Sequence, residues 1–338
     1  MGITIDEVLL DENIDEALES LISKRDSCGA DGVKLSELSD YWNANGEKVK
    51  RAILDGTYSI GLVKQFENVN YKGKHRTISL MNSVDRLIYR ALFQVMSKNL
   101  DSNFSEHSYA YRDGKGVLEA VKQAAQYLEN GNIWCVELDI HNFFDNINQH
   151  ILMEKVNNVI QDDLVRNLII SYLQCTILDD HITFQKDTGI LQGGPLSPLL
   201  SNIYMDDLDH YIEKQGYCFC RFGDDINIYS SSYDEALVCL KDVEKHIVEQ
   251  EELPLNHKKT GVFKGINRKY LGYRFEIKDH NVVTKKENRA YKTVYRDWYT
   301  TGIRRVDGNY HLINNGILTK KDFSILFDGS EGKKIYTG

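Results

Sequence analysis

The chain of 338 residues contains only three prolines, no Pro/Gly/Ser-rich linker and no internal repeat. No stretch approaches the roughly 20 consecutive apolar residues that a membrane-spanning helix needs. The N-terminus lacks the basic and then apolar layout of a secretory signal peptide. The six cysteines are scattered, which suits reduced packing residues better than disulfides or a zinc site. These absences predict contiguous lobes, a cytoplasmic location and no membrane partner.

Charge is divided unevenly along the chain, whose formal net charge is −9. After residue 256 there are 18 Lys and Arg against 8 Asp and Glu, whereas the preceding part has 23 against 42. A basic C-terminal portion could neutralise nucleic-acid phosphates, which supplies most sequence-independent affinity. The same composition is also typical of an ordinary solvated tail, so the motifs have to decide between the two.

Two adjacent carboxylates occupy the tip of a predicted β-hairpin. Apolar runs at 217–220 and 226–229 flank Phe222, Gly223, Asp224 and Asp225. A Gly-Asp pair between β-prone runs indicates a tight turn. The geometry of the hairpin does not require the second Asp. Two interpretations therefore remain open: a metal site and a solvated acidic turn.

A third acid follows a separate predicted strand. Asp139 ends the apolar run 133–138. If the two strands meet, Asp139 and Asp224 could clamp a pair of Mg²⁺ ions roughly 3.5–4 Å apart, the spacing used for displacement at phosphorus. Carboxylates are ligands that suit Mg²⁺. Between the strands, a glycine loop leads into a helix that is predicted to start with Ser197 as its cap and Pro198 at its first position.

The order of predicted elements indicates an α+β fold, with an antiparallel sheet and helices beneath it. A hairpin is predicted at 176–185. Apolar residues at helical spacing predict helices over 6–24, 83–96, 116–129 and 149–173, a helix from Pro198, and one that Asp234 caps and that runs to about Gln250.

These motifs together resemble the reverse transcriptases of the bacterial group II intron and retroelement lineage. The matching stretches are Leu138 to Ile147, Gln192 to Pro198, Phe222 to Asp225, Lys259-Thr260 and Tyr270 to Tyr273. Several motifs in the same order and at compatible spacing rarely arise by chance. The resemblance covers residues 25–276 and implies a right-hand polymerase fold of fingers, palm and thumb. We expect the N-terminal segment and fingers in 1–130, the palm in 131–276 (including an insertion at 149–190), and a short, basic thumb in 277–338.

The resemblance implies an RNA-directed DNA polymerase, a nucleotidyltransferase that uses two Mg²⁺ ions, with Mn²⁺ as a possible substitute. It assigns the metal to the side chains of Asp139, Asp224 and Asp225 and to the backbone carbonyl of Ile140. It also implies that Phe144 is an aromatic gate that excludes a ribose hydroxyl and that Gln192 contacts the nucleotide. Arg76 with Lys74 or Lys72 would bind the triphosphate, and Lys259 would donate a proton to pyrophosphate. The primer grip would consist of Tyr270, Leu271, Gly272 and Tyr273.

Simpler interpretations compete with several of these assignments. Phe144 could be a core residue beside Phe143, since residues alternate across a strand and only one of the two need be buried. Lys259 could be a solvated lysine, and residues 270–273 could be a packing strand. We expect His141 at the surface. Asp206, Asp207 and Asp209 are predicted to form a solvated helix face.

The chain departs from the family at three places: Asn68 to Asn70 replaces an Ile-Pro-Lys, Leu191 replaces a Pro, and Gly223 replaces an Ala. A Gly-Asp-Asp turn is typical of viral RNA-dependent RNA polymerases, so an RNA-making enzyme is one alternative. Phe144 argues against it, because those enzymes generally have an Asp at that register. A catalytically silent RNA-binding scaffold is a second alternative, although all three acids are retained.

The expected partners are an RNA template, a DNA or RNA primer and dNTPs. Because no endonuclease or maturase-type extension is evident, we expect a stand-alone bacterial reverse transcriptase. Such an enzyme could work with a dedicated noncoding RNA or a protein partner in phage defence. Aromatic and basic residues in 290–338 suit either base stacking or a small packed thumb.

Overall fold

The computed structural model describes residues 2–69, 75–179, 182–278, 281–286, 303–306, 309–312 and 316–318. The chain divides into two compact units. The first contains Met1–Glu67 and Thr77–Lys285, and the second contains Asn68–Arg76 and Lys286–Gly338.

The helices of the N-terminal third are mostly those that apolar periodicity predicts. Leu10 is in an extended conformation (ψ 136°), so the helix expected over 6–24 is two helices. The helix expected from 83 is confirmed, and its apolar stripe is buried. The bounds are α1 Ile5–Leu9, α2 Asp11–Ile22, α3 Leu38–Leu54, α4 Ser83–Leu100 and α5 Val117–Glu129.

Three boundary predictions in the rest of the chain are wrong. Residues 149–173 form two helices, because Ile160 is extended and the Asp162 carboxylate caps a new helix by accepting from Leu164 N and Val165 N. Ser232, rather than Asp234, caps the last helix. Ser197 is the first helical residue instead of the cap. The bounds are α6 Phe143–Asn146, α7 Gln149–Val159, α8 Asp163–Leu173, α9 Ser197–Lys214 and α10 Tyr233–Glu249.

The described strands between Val63 and Lys286 form a central antiparallel sheet of four strands, a second sheet of four strands and a third sheet of three. The central sheet has the order β6-β7-β3-β8, the second β2-β1-β4-β5 with β1 parallel to β4, and the third β11-β10-β9. The bounds are β1 Val63–Val69, β2 His75–Leu80, β3 Trp134–Asp139, β4 Thr176–Asp179, β5 Ile182–Gln185, β6 Cys218–Phe222, β7 Asp225–Ser230, β8 Gly261–Lys264, β9 Lys269–Tyr270, β10 Tyr273–Lys278 and β11 Asn281–Lys286.

Both faces of the central sheet are covered, because alternate residues of a strand point to opposite sides. Val136 and Ile228 belong to the larger hydrophobic core, and α10 packs on β3, β7 and β8. Cys135 and Tyr229, each one position away, belong to a second core with α5. The predicted antiparallel sheet with helices packed on it is confirmed, and with it the α+β class.

In the second unit, the described residues include β12 Ile303–Val306, β13 Asn309–Leu312 and β14 Gly316–Leu318, which form an antiparallel sheet.

All six cysteines are free thiols, as their spacing predicts. Of the helices in the described ranges, none combines the length and apolarity needed to cross a bilayer.

Candidate active site

The acids from the two predicted strands meet at one end of the central sheet. Asp139, the last residue of β3, is the register partner of Asp225, the first residue of β7. Gly223 and Asp224 form the two-residue turn between β6 and β7, so Asp224 directly precedes Asp225. Three carboxylates from distant parts of the chain are thus brought to one edge of the sheet.

The turn that carries Asp224 depends on its glycine. Gly223 has φ +68°, a left-handed conformation that side-chain-bearing residues rarely adopt. A glycine with positive φ at the first central position is typical of the two-residue turns that match strand twist. The turn therefore holds Asp224 at the tip of the hairpin without distorting the pairing of Phe222 with Asp225.

The charges of the three acids act on one another. Desolvation, followed by the negative charges of Asp224 and Asp139, raises the pKa of Asp225 to about 6, and Lys259 partly opposes this effect. The Lys259 ammonium lies 2.7 Å from the Asp139 carboxylate. Lys259, expected to serve pyrophosphate, is therefore a counterion of Asp139 in this structure. Repulsion among the acids is the electrostatic condition that a divalent cation would relieve.

The three carboxylates suit a Mg²⁺ site in which the substrate supplies some of the ligands, rather than a site in which the protein supplies all of them. Within the described ranges, no three His, Cys, Asp or Glu side chains already stand in a metal-binding group. Mg²⁺ is usually held by one or two carboxylates together with substrate phosphates and water. Asp139 and Asp225 supply such a pair, and Asp224 adds a neighbouring carboxylate.

Backbone contacts fix Asp139 from its other side. Asp139 N donates to Thr260 Oγ1 (3.2 Å), and Asn256 N donates to the Asp139 carbonyl (2.8 Å). Ile140 forms an isolated bridge with Leu255. These contacts continue the backbone pairing beyond the last residue of β3.

Phe144 lies on a short helix rather than a strand, so the expected alternation does not apply. The backbone of Asn142 is left-handed (φ +43°), and α6 begins at Phe143. Phe143 is buried, whereas Phe144 is half-buried, and the two rings pack edge-on with centroids 5.5 Å apart. The partly exposed ring of Phe144 is the one that a substrate could reach. His141 is exposed, as expected.

The glycine loop is bonded to both α6 and β2. Ile190 N donates to the Phe144 carbonyl (2.7 Å), and the Gln192 carbonyl accepts from Ser79 N (2.7 Å). The Gln192 amide donates to Asp145 (3.0 Å). The same carboxylate pairs with Lys186, also at 3.0 Å. Asp145, a residue that sequence reasoning did not single out, therefore orients Gln192.

The beginning of α9 fixes the end of this loop. The Ser197 hydroxyl donates to the Leu191 carbonyl (2.5 Å) and bonds to the Tyr172 hydroxyl (2.7 Å). A Cβ on Gly194 would lie 1.8 Å from that Tyr172 hydroxyl, so no larger residue fits there. This close packing, rather than helix capping, is the local role of Ser197.

Behind the β6–β7 turn lies a buried ion pair that was not predicted from the sequence. The fully buried Arg221 guanidinium donates to both oxygens of Asp209 (2.5–3.0 Å), to Asn202 Oδ1 (3.1 Å), to the Gly223 carbonyl (3.1 Å) and to Ser108 Oγ (2.8 Å).

The predicted solvated face of α9 is therefore wrong for two of its three acids. Asp209 is fully buried because Arg221 neutralises it. Asp206 is half-buried, and desolvation raises its pKa to about 6. Only Asp207 is exposed as expected.

The expected primer grip is a tight hairpin instead of a continuous strand. Leu271 (φ +49°) and Gly272 (φ +88°) form the turn, and Tyr270 pairs with Tyr273. Tyr270 is buried in the second core. Lys72 and Lys74 lie outside the described residues, as does the side chain of Arg76, so the triphosphate ligands remain a prediction.

Comparisons with known proteins agree with this geometry. Residues 64–275 match the family model described as reverse transcriptase (RNA-dependent DNA polymerase). Protein YkfC of Escherichia coli is 26% identical over 191 residues, which is 55% of this chain and 50% of that protein. The group II intron-encoded protein LtrA of Lactococcus lactis is 29% identical over 167 residues, or 49% of this chain and 28% of LtrA.

A solved structure supports the fold independently of close sequence similarity. Apo telomerase from Candida tropicalis, truncated from its C-terminal domain, superposes with a TM-score of 0.53 at 16% identity, over 73% of this chain and 60% of that one. The right-hand polymerase fold that the motifs imply is thereby supported. This chain spans half or less of the length of the two curated relatives. The family match covers most of the chain, and the protein belongs to the reverse transcriptase family.

Proposed function

We propose that the protein is an RNA-directed DNA polymerase that adds dNTPs to a primer by two-metal nucleotidyl transfer. The observation that carries the proposal is the register of Asp139 opposite Asp225, with Asp224 in the adjoining turn. Asp139, Asp224 and Asp225 would hold the cations, with the Ile140 carbonyl as a further oxygen ligand. Two Mg²⁺ or Mn²⁺ ions there would activate the primer 3′-hydroxyl and stabilise the departing pyrophosphate.

The surrounding side chains supply selection and positioning. Phe144 would exclude a ribose 2′-hydroxyl with its partly exposed ring. Gln192, which Asp145 orients, would contact the incoming nucleotide or the nascent base pair. Lys259, which contacts Asp139 at 2.7 Å, would donate a proton to the pyrophosphate. Arg76 with Lys74 or Lys72 would hold the triphosphate, and residues 270–273 would support the primer.

The expected domain layout remains part of this proposal: fingers within 1–130, palm within 131–276 and a short thumb within 277–338. The partners would be an RNA template, a DNA or RNA primer and dNTPs. A dedicated noncoding RNA or a protein partner, a cytoplasmic location and a role in phage defence complete the proposal.

One observation favours a second candidate. The turn contains Gly223 before the two acids, the form typical of enzymes that make RNA from RNA templates. Against that candidate, Phe144 is an aromatic ring at a position where acceptance of a ribose hydroxyl calls for a small or polar group. Nucleotide preference therefore separates the two.

Primer extension on poly(rA)·oligo(dT), with dTTP or UTP and Mg²⁺ or Mn²⁺, tests the proposal. We expect incorporation of dTTP, and a loss of at least about 10³-fold in the Asp224→Asn variant because a cation ligand is removed. The Asp207→Asn variant, altered at an exposed acid away from the turn, serves as the control. Exclusive use of UTP would favour the RNA polymerase, whereas RNA binding without any extension would favour a silent scaffold.

A further inference from the structure

Tyr111 has a strained backbone beside the catalytic turn. Its φ is +63°, a left-handed conformation that is costly for a residue with a bulky side chain. The side chain is nonetheless 46% exposed, so burial of its ring does not offset the cost. Strained residues that persist in this way cluster at sites where a ligand is bound.

Contacts on both sides hold Tyr111 in this conformation. The buried Arg112 guanidinium donates to Asp101 (2.7 Å) and to the carbonyls of Ser105 (2.6 Å) and Ser108 (2.9 Å). The Ala110 carbonyl accepts from the Asn202 amide (2.9 Å). The segment thus continues from the buried network behind the turn to an exposed aromatic ring at its front.

The segment is also attached directly to the strand that leads into the turn. Tyr109 N donates to the Arg221 carbonyl, and Arg221 N donates to the His107 carbonyl, both at 2.9 Å. These two bonds fix the 107–109 backbone against β6. Tyr111, two residues further on, is carried to the level of Gly223.

The ring of Tyr111 lies against the turn itself. A Cβ placed on Gly223 would be 3.7 Å from the Tyr111 hydroxyl and 3.9 Å from the ring. Desolvation and then the negative charge of Asp224 raise the pKa of Tyr111, with a smaller contribution from Asp225. Among the residues that the structure describes, none forms a hydrogen bond with this hydroxyl. The ring is thus within reach of whatever binds at these acids.

The topology indicates which substrate the ring meets. In the order β6-β7-β3-β8, Phe144 and Gln192 are associated with the end of β3, whereas Tyr111 adjoins the β6–β7 turn. Tyr270 of the expected primer grip is buried in the second core together with Tyr109 and with Cys220 of β6. The incoming nucleotide and the primer terminus therefore have different neighbours, and Tyr111 belongs with the primer.

We propose that Tyr111 binds the 3′-terminal nucleotide of the primer and holds it over Gly223, beside the metal-binding acids. This inference rests on the proposed polymerase function. Contact between a base or sugar and an exposed aromatic face is independent of sequence, since every nucleotide offers an apolar face. Backbone strain at Tyr111 is retained because a relaxed conformation would move the ring away from the turn.

Photocrosslinking tests the contact directly. A primer ending in 5-iododeoxyuridine, annealed to poly(rA) and irradiated on the enzyme in EDTA, is expected to form an adduct that mass spectrometry maps to Tyr111. The adduct should be lost in Tyr111→Ala and retained in Tyr41→Ala, which alters a comparably exposed tyrosine on α3. An adduct confined to other residues, or one that forms at Tyr111 only when the iodinated base is in the template, would overturn the proposal.

Kinetics and stability separate binding from folding. We expect Tyr111→Ala to raise the KM for primer–template roughly tenfold, whereas Tyr111→Phe changes it less than about twofold. Tyr111→Gly should lose primer affinity as Ala does, yet unfold at a temperature no lower than the wild type, because glycine relieves the strain. Unchanged KM in both Ala and Gly variants of an enzyme that extends primers would contradict this inference alone. Absence of extension by the wild type would instead contradict the proposed function.

Discussion

The two sides of the β6–β7 turn handle charge in opposite ways. At the front, Asp224 and Asp225 are exposed residues, and desolvation, followed by the charges of Asp224 and Asp139, raises the pKa of the Asp225 carboxylate. At the back, Arg221 and Asp209 are fully buried, and each satisfies the other. The front thus gathers three carboxylates, with the partly exposed Lys259 as the counterion of Asp139, whereas the charges at the back are neutralised by one buried ion pair.

This difference indicates which side provides stability and which provides chemistry. A buried charge without its partner retains its full desolvation cost, so the rear ion pair holds the turn only while both members are present. Exposed acids contribute little to stability, and their repulsion opposes folding. The turn can therefore carry a destabilising charge cluster at its front because Arg221 fixes the Gly223 carbonyl from behind.

The largest effect on stability is expected at the back. Asp209→Asn leaves the Arg221 guanidinium buried with a neutral partner, so the free energy of unfolding should fall by about 3–5 kcal/mol. Urea unfolding followed by circular dichroism measures this change. The exposed acid Asp207 on the same helix, which pairs with Lys155 at 3.1 Å, provides the control, and Asp207→Asn should lower the free energy of unfolding by at most about 1 kcal/mol.

The comparison would fail if front and back variants behaved alike. Asp224→Asn should leave the free energy of unfolding unchanged or slightly higher, since it removes repulsion with Asp225. If Asp224→Asn destabilised the protein as much as Asp209→Asn, the acids at the front would be structural, and the division between the two sides would be wrong.

A smaller effect, on the affinity for metal ions, is expected at Lys259. Its ammonium group lies beside the Asp139 carboxylate, where a metal ion would bind. Its ion pair with Asp139 is partly exposed and competes with a metal ion for the same carboxylate. In the absence of nucleotide, Lys259→Gln should tighten Mn²⁺ binding by up to about fivefold, the equivalent of an exposed ion pair of at most about 1 kcal/mol. Electron paramagnetic resonance of free Mn²⁺ measures the affinity.

The neighbouring Lys258 provides the control for this measurement. Lys258 is also exposed, and no acid in the described part of the chain pairs with it. Lys258→Gln should therefore lower the positive charge near the site without releasing Asp139. Equal tightening in both variants would show that general electrostatics, rather than the contact with Asp139, controls the affinity.

The strands and the turn were predictable from the sequence because they follow from local signals, whereas the meeting of the acids was implied by the family resemblance. Alternating apolar runs that end in acids mark strands, and Gly223 marks the turn between two of them. The presence of the helices was equally predictable from the sequence, whereas the residues at which they begin and end were not. Ile160 looks like another apolar residue of one long helix, and only the capping contact of Asp162 shows that a second helix begins.

The buried polar network was not accessible from sequence because it depends on partners far apart along the chain. Asp209 looks like one of three acids on a helix, and its burial requires Arg221 on another element. A possible signal was the arginine itself, which stands among apolar residues of β6. The turn at Leu271 and the strained backbone of Tyr111 were not foreseen for a different reason: both residues have positive φ, which apolar and aromatic residues seldom adopt.

Cation binding tests the central claim most directly, namely that Asp139, Asp224 and Asp225 bind divalent ions together. Mn²⁺ can be counted by electron paramagnetic resonance with primer–template and a non-hydrolysable dNTP analogue present. We predict about two tightly bound ions per wild-type chain. The count should fall below that of the wild type in an Asp139→Asn/Asp224→Asn double variant that still binds primer–template. The same number and affinity of ions in both proteins would contradict the account.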